Sequence, residues 1–439
     1  MPQMTAHQNV WRIAGPLIIS NLTVPLLGIV DTAVVGHLDE AYHVGAVAIG
    51  AVIFGVVFWG FGFLRMGTTG ITAQAYGKGD HQELRATLCR ALLLAIGFSL
   101  LILVLQVPIA SLAFYWLDGS ELVEQQANVY YDIRVFSAPA TLMNYALLGW
   151  FLGMQNARMP LYIMLMVNIV NMILDVIFVM LWNYGANGVA WASLIAEYTG
   201  VLFAFWLVRK ELRRFPGEWP MASLRRKDKL REMISINKNI FIRNLCLMFS
   251  LAFFTAQGAR FGDVVLAANA VLFHFQTLMA YGLDGFAHAA EALVGKAIGG
   301  KNRVAYYDVI KTSSFWAVIV SVGFSLVYYF AGPALISMMT DIEAVRREAM
   351  YYLPWVVFLP LVSVWSFLFD GIYIGAMRAK EMRNTMLLST FMVFLPAWYL
   401  LLPLGNHGLW LAFMLFILAR GISMAVLFNR IAVRSEFNS

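Results

Sequence analysis

Residues 91–107 read ALLLAIGFSLLILVLQV, an apolar run without a single charged side chain. A helix of about 20 such residues crosses the hydrocarbon core of a bilayer. The whole chain has the same character: of its 439 residues, 61% are hydrophobic and 13% are charged, and the mean hydropathy is +0.71. A soluble protein carries about 25% charged residues, so this chain has too little charge to cover a water-facing surface. The sequence predicts an all-α polytopic membrane protein.

Twelve apolar segments of spanning length follow one another along the chain. Their centres lie near Leu26, Val57, Ser99, Thr141, Asn171, Phe203, Met248, Phe275, Val320, Leu361, Met392 and Phe416. Barrel strands are excluded because the apolar runs are unbroken rather than alternating. The first segment, residues 11–35, lacks the short apolar core and the cleavage site of a signal peptide, so we interpret it as the first spanning helix.

Basic residues occur in every second connection between these spans. They include Lys78, Arg85, Arg90, Arg158, Arg209, Lys210, Arg213, Arg214, Lys296, Lys301, Arg303, Lys311, Arg378, Lys380 and Arg383. Since positively charged loops stay in the cytoplasm, the pattern predicts a bacterial inner-membrane protein with both termini cytoplasmic. The net charge of +6 then reflects topology and not a nucleic-acid partner. The two cysteines, Cys89 and Cys246, fit no metal-binding spacing.

The longest polar interruption separates six spans from six. We predict an N-terminal lobe at residues 1–208, a cytoplasmic linker at 209–233, and a C-terminal lobe at 234–439. The linker carries Pro216, Pro220 and many basic residues. It lies on anionic lipid headgroups or is a solvated connector, and the sequence leaves both readings open.

Four motifs recur at an offset of 220–222 residues, which indicates a duplicated six-helix unit. The pairs are AQAYGKGD (73–80) with GKAIGGKN (295–302), Tyr130-Tyr131 with Tyr351-Tyr352, Gly149-x-x-x-Gly153 with Gly371-x-x-x-Gly375, and GANG (185–188) with GNHG (405–408). A unit of six spans is even, so both copies enter the membrane from the same side. The predicted architecture is two parallel six-helix repeats around a central cleft, an arrangement typical of transporters.

Two aspartates lie within apolar spans of the first copy. A charge inside the bilayer costs about 2.5–3.5 kcal/mol on insertion scales, so Asp31 and Asp175 need a reason to be there. Asn171 precedes Asp175 by four residues and shares its helix face. The repeat-related positions, Phe253 and Pro396, carry no acid, so the fold itself does not require one. We therefore predict a cation or proton site.

The alternative is that each acid forms a permanent pair with a buried base. The available bases are Arg65, Arg134, Arg243 and Arg420. In the second copy, Glu291 and Asp370 are candidates for either role, and Asp284 for pairing. Pro25 lies in the same span as Asp31 and removes a backbone hydrogen bond. We predict a hinge at Pro25 whose bend changes when Asp31 is protonated.

Four stretches of the chain resemble the MATE (multidrug and toxic compound extrusion) transporters, and most closely their DinF-like branch. The stretches are NLTVPLLGIVDT (21–32), RMGTTGITAQA (65–75), AEALVG (290–295) and FDGI (369–372). The resemblance implies two six-helix bundles and export of varied, often cationic or amphipathic compounds against proton or sodium entry.

The resemblance also assigns roles to particular residues. It places Asp31, Asn171 and Asp175 in a first-lobe coupling cluster, with Ser193 where a threonine is usual and Asn144 as a further member. It matches Asp370 to an acid implicated in cation binding. The helix 7 glutamate of the sodium-coupled branch has no match here, which favours proton coupling.

The sequence thus predicts a proton-coupled exporter that works by alternating access and is not an enzyme. It has no organic cofactor and no metal site, and the coupling ion is a proton or, alternatively, sodium. Its partners are small-molecule substrates and the bilayer, and it acts as a monomer. The alternative function is a flippase for a lipid-linked or amphipathic substrate, which requires a cationic cavity. Catalytic motifs such as HExxH, GxSxG and the Walker A run are absent from the sequence.

Overall fold

The computed structural model describes residues 5–36, 40, 42–117, 120–215, 217 and 226–434, and these residues form helices without a single strand. The helices of the first half are α1 (Ala6–Gly36), α2 (Tyr42–Gly60), α3 (Phe63–Lys78), α4 (His81–Val104), α5 (Gln106–Leu117), α6 (Glu121–Arg134), α7 (Ala138–Gly153), α8 (Arg158–Asp175) and α9 (Gly185–Leu212). Those of the second half are α10 (Lys227–Ala259), α11 (Asp263–Gly299), α12 (Arg303–Met339), α13 (Glu343–Gly375), α14 (Ala379–Leu388), α15 (Leu395–Leu401) and α16 (Gly405–Arg434).

Short irregular helices connect some of these elements within one span. A 3₁₀ turn at Val135–Ser137 joins α6 to α7, and another at Leu402–Leu404 joins α15 to α16. π-helical segments at Val176–Leu181 and Ser389–Phe394 follow α8 and α14. Such segments often lie at functional sites of helical proteins.

The predicted twelve spans are confirmed. Ten helical runs of the described chain are long and apolar enough to cross a membrane. One of them, Ala379–Phe428, contains two passes separated by the Leu402–Leu404 turn, and α1 adds the remaining pass. The all-helical membrane fold follows from the sequence because every run exceeds the thickness of the hydrocarbon core.

The chain divides into two compact units. One comprises Ile19–Met233 and the other comprises Met1–Ile18 together with Ile234–Ser439. The predicted first lobe began at residue 1, whereas the first half of α1 packs with the C-terminal unit. Most of the predicted linker's central part, residues 218–225, lies outside the described residues.

Aromatic contacts account for the placement of the first half of α1. The ring of Trp11 lies 5.3 Å from that of Phe286 and 5.3 Å from that of Trp316, edge to face in both cases. The Trp316 indole also donates a hydrogen bond to Nδ1 of His7 (3.1 Å). Edge-to-face pairs add to the gain from burying aromatic surface. This end of α1 therefore belongs to the C-terminal unit by its contacts.

The backbone of the first copy is reproduced in the second at an almost constant offset. Left-handed residues recur in pairs: Gly79 (φ 70°) with Lys301 (φ 51°), Gln155 (φ 64°) with Met377 (φ 55°), and Gly185 (φ 57°) with Gly405 (φ 57°). Both copies also cap the next helix in the same way. Asp80 Oδ1 accepts from Glu83 N, and Asn302 Oδ1 accepts from Ala305 N, each at 2.9 Å.

The two GxxxG motifs bring equivalent helices together in the two units. A Cβ on Gly149 would overlap the carbonyl oxygen of Arg65, and one on Gly371 would overlap that of Ala287. Gly149 and Gly371 differ by 222 positions, as do Arg65 and Ala287. Glycine is required at both places because the backbones touch there. The duplication predicted from short motifs thus extends to individual interhelical contacts.

Candidate functional site

Asp31 of α1 and Asp175 of α8 meet inside the N-terminal unit. Asp175 is the last residue of α8 before the π segment, and it is fully buried. The two side chains lie within hydrogen-bonding range of each other. Oδ1 of each aspartate is buried and has no hydrogen-bond donor among the described residues. Ionised carboxylates are acceptors only, so this contact is favourable when one of the two groups carries a proton.

Asn171 and Ser193 extend this pair towards α9, and both are buried. With its amide oriented to satisfy both ends, Asn171 donates from Nδ2 to Oδ2 of Asp175 (3.3 Å). Its carbonyl oxygen then accepts from N (3.1 Å) and Oγ (3.2 Å) of Ser193. The polar face of α8 predicted from the spacing of Asn171 and Asp175 is present, and the Ser193 hydroxyl takes part in it.

A second contact fixes α1 against α8. Asn168 donates from Nδ2 to Oγ1 of Thr23 (2.8 Å), and the Thr23 hydroxyl donates to the carbonyl oxygen of Ser20 (2.7 Å). Helix α1 continues without interruption through Pro25, whose side chain is exposed. The predicted hinge therefore lies within an unbroken helix, six residues before Asp31.

Asn144 lies beside a carboxyl group that the sequence analysis missed. Its Nδ2 donates to Oε2 (2.9 Å) and to the backbone oxygen (3.2 Å) of Glu197 on α9. A signal for Glu197 existed: it is an acid within an apolar span, four residues after Ser193 and hence on the same helix face. The predicted cluster thus has two parts, one at Asp31 and Asp175 and the other at Glu197.

Arg134 is a basic residue that interacts with acids in both parts of the cluster. It ends α6, and the 3₁₀ turn that follows directs the chain into α7. Its guanidinium interacts electrostatically with Asp31, Asp175 and Glu197. Its Nε and Nη1 are buried and have no acceptor among the described residues. One cation is therefore shared by three acids and is not committed to any single one.

Asp370, in the C-terminal unit, has different surroundings. Arg243 of α10 and Arg420 of α16 both donate from Nη2 to its Oδ2, the latter at 2.8 Å. The three residues are buried. Arg243 also donates to Oδ1 of Asn244 (2.9 Å). This is the permanent pairing that the sequence analysis gave as the alternative role for an acid.

Glu291 is the other acid proposed for the second copy, and its side chain is fully buried. Nδ1 of His288, one helical turn away on α11, lies 3.3 Å from its Oε2. Each of the two acids has its own basic neighbour.

Comparisons with known proteins agree with this architecture. A family model described as MatE matches residues 16–177 and 240–400, one match in each copy. The chain is 44% identical to DNA damage-inducible protein F of Escherichia coli (strain K12), over 97% of this chain and 93% of that protein. It is 22% identical to the probable multidrug resistance protein NorM of Acinetobacter baylyi, over 95% and 93% of the two chains.

The fold is also that of solved structures. The Vibrio cholerae MATE transporter VcmN in the bent form superimposes with a TM-score of 0.85 at 19% identity, over 97% of each chain. The family model covers well over half of this chain, and the relative from E. coli spans nearly all of it. The chain therefore belongs to the MATE family of multidrug and toxin efflux transporters.

Proposed function

We propose that the protein exports cationic or amphipathic small molecules in exchange for protons, and that Asp31 and Asp175 together bind the transported proton. The observation that carries this proposal is the contact between the buried Asp175 carboxyl group and the half-buried Asp31 carboxyl group, each with a buried Oδ1 that has no donor among the described residues. One proton placed between them converts an unfavourable contact into a hydrogen bond. Its departure leaves two acids side by side, which favours a rearrangement of α1 against α8.

The orientation of Asn171 supports a proton over sodium. The amide presents Nδ2, a donor, to Asp175, while its oxygen is occupied by Ser193. A sodium ion at Asp175 needs oxygen ligands around it, as hard cations do in general. In the orientation that donates to Asp175, Asn171 directs its oxygen to Ser193 instead. A proton needs only the two carboxyl groups.

We further propose that both termini and the basic end of α9 face the cytoplasm of a bacterial inner membrane. Arg209 and Lys210 lie in the last turn of α9, and Lys78 ends α3. Such residues are retained on the cytoplasmic side of a membrane. On this assignment Asp31 lies late in a span that runs outward, so protons reach it from outside.

The proposal is tested in everted membrane vesicles with a fluorescent cationic dye. A proton gradient and a sodium gradient are imposed separately on wild type, Asp31→Asn and Asp175→Asn, with Asp308→Asn as an exposed-acid control. We expect an acidic lumen to drive dye uptake in wild type and in the control. Each of the other two variants should lose at least about tenfold of this rate, which corresponds to about 1.4 kcal/mol. Uptake driven by sodium alone, or undiminished uptake in both variants, would overturn the proposal.

A further inference from the structure

Glu197 is a carboxyl group in the N-terminal unit to which the mechanism above gives no task. It lies on α9 one turn beyond Ser193, towards the end that carries Arg209 and Lys210. The gap left by Gly200 allows Asn144 to approach, since a Cβ there would lie 3.3 Å from Asn144 Nδ2. The side chain of Asn144 is therefore held against the Glu197 carboxyl group.

Asn144 can serve Glu197 in both of its protonation states. Its Nδ2 donates to the carboxylate oxygen, as the structure records. Asn144 is only 5% exposed, and its Oδ1 is buried and has no donor among the described residues. A protonated Glu197 has an O–H group to donate, and an amide offers an oxygen for it. This partner suits a group that gains and loses a proton.

Glu197 and Asp175 lie on opposite sides of the contact between Asn171 and Ser193. Asp175 follows Asn171 by one turn on α8, and Glu197 follows Ser193 by one turn on α9. The two helices are consecutive, so they run in opposite directions, and at 1.5 Å per residue the two acids are about 12 Å apart along the bundle. The positive charge of Arg134 interacts electrostatically with both acids.

Other charged or titratable groups face this part of α9 from the helices packed against it. They are Tyr145 on α7, Tyr130 and Arg134 on α6, Asp31 on α1, Asp175 on α8, and Arg65 on α3, which acts on Tyr145. On α2 the titratable His43 lies at the other end of α9, where it accepts from Ala186 N (3.3 Å). Arginine stays protonated in proteins, and the phenol of tyrosine ordinarily loses its proton only at about pH 10. The carboxyl groups around Glu197 therefore carry the exchangeable proton.

We propose that Glu197 takes the proton from the Asp31–Asp175 pair and passes it towards the basic end of α9, an inference that rests on the proposed function. Because the two sites are about 12 Å apart, hydrogen-bonded water accepts the proton from a carboxylic acid of the pair and delivers it to the Glu197 carboxylate. The total charge of the cluster does not change. Arg134 stabilises whichever carboxylate is ionised at each stage. Glu197 then releases the proton to water at the basic end, and its carboxylate again accepts from Asn144.

The experiment uses the full chain in proteoliposomes, with Glu197→Gln, Glu197→Asp and Asp175→Asn beside wild type. Two rates are measured: dye transport driven by a proton gradient, and dye-for-dye exchange at equal pH. We expect Glu197→Gln to lose about tenfold or more of the driven rate while exchange stays within about twofold. Glu197→Asp, which keeps a carboxyl group, should restore most of the driven rate. Size-exclusion elution at the wild-type position shows that each variant is folded.

A third readout separates this inference from the proposed function. The affinity for dye in detergent is measured against pH; Glu197→Gln should keep the wild-type profile, and Asp175→Asn should lose it. If Glu197→Gln retains the driven rate while Asp175→Asn abolishes it, the role of Glu197 is wrong and the proposed function stands. If Asp175→Asn also retains the driven rate and the pH profile, both are wrong. Loss of exchange in a folded Glu197→Gln protein likewise overturns the proton-transfer role.

Discussion

In the N-terminal unit Asp31 and Asp175 face each other, and Arg134 is shared between them and Glu197. In the C-terminal unit Asp370 faces two arginines that both donate to one of its oxygens. The first arrangement has more acid than base, as the proposed proton site requires. In the second, the protein's own side chains neutralise the acid. The comparison favours Asp31 and Asp175 over Asp370 for the proposed exchange.

The repeat makes this comparison sharper because the two copies share a backbone. Phe253, at the position equivalent to Asp31, packs against Phe394 (5.5 Å between ring centroids) and Trp398 (6.4 Å). Leu148, equivalent to Asp370, lies in an apolar cluster with Trp150 and Leu207. At these two positions, a charged group of one copy corresponds to an apolar group of the other. The common helical frame therefore tolerates either kind of interior.

The largest effect on stability is expected from Asp370→Asn. The substitution leaves Arg243 and Arg420 buried beside each other without the carboxylate that both of them contact, and breaking a buried pair in this way costs about 3–5 kcal/mol. Asp175→Asn, the matched change in the other unit, should alter the free energy of unfolding by less than about 1 kcal/mol, since removing one of two facing acids relieves repulsion. Thermal unfolding in detergent measures both. A stable Asp370→Asn protein beside an unstable Asp175→Asn protein would reverse the comparison.

The next largest effect on stability is expected at the two glycines where helix backbones touch in equivalent places of the two copies. Gly149→Ala and Gly371→Ala place a methyl group into the carbonyl of the neighbouring helix, and we expect each to destabilise the protein by about 1–3 kcal/mol. Gly97→Ala is the control, because nothing lies within 4 Å of a Cβ at that helical position. It should instead stabilise slightly, by about 0.5–1 kcal/mol. Unequal losses at Gly149 and Gly371 would show that the two copies are not equivalent there.

A smaller and equal effect is expected at the two helix caps. Asp80→Ala and Asn302→Ala each remove a side-chain acceptor from a helix N-terminus, at a cost of about 1 kcal/mol. Proton-driven transport should remain within about twofold of wild type, because neither residue contacts the acid cluster. Loss of transport in Asp80→Ala alone would mean that the GKGD segment has a task beyond capping.

The smallest effect is expected at Ser193. Ser193→Ala removes a hydroxyl that contacts Asn171 at 3.2 Å, a long hydrogen bond worth about 0.5 kcal/mol. Driven transport should slow severalfold, since Asn171 then holds Asp175 less firmly. Ser193→Thr retains the hydroxyl and should transport at nearly the wild-type rate. Equal rates in both variants would remove Ser193 from the site.

Much of this architecture could be predicted from the sequence, because hydrophobic length and repeated glycine motifs are local signals. The sequence could also indicate Asp31 and Asp175 as a site, because both interrupt apolar spans. It could not indicate which base each acid contacts, since Arg134, Arg243 and Arg420 all lie within or near spans. Which base approaches which acid depends on helix packing. Glu197 was missed because its span was judged by its hydrophobic residues, and its partner Asn144 comes from a different helix.

The division of α1 between the two compact units has a consequence for biosynthesis. Trp11 is made well before its aromatic neighbours, since Phe286 follows it by 275 residues and Trp316 by 305. At a synthesis rate of about 5–20 residues per second, the start of α1 waits roughly 15–60 s for its contacts. Until those residues are made, the first half of α1 lacks the aromatic contacts that place it in the C-terminal unit.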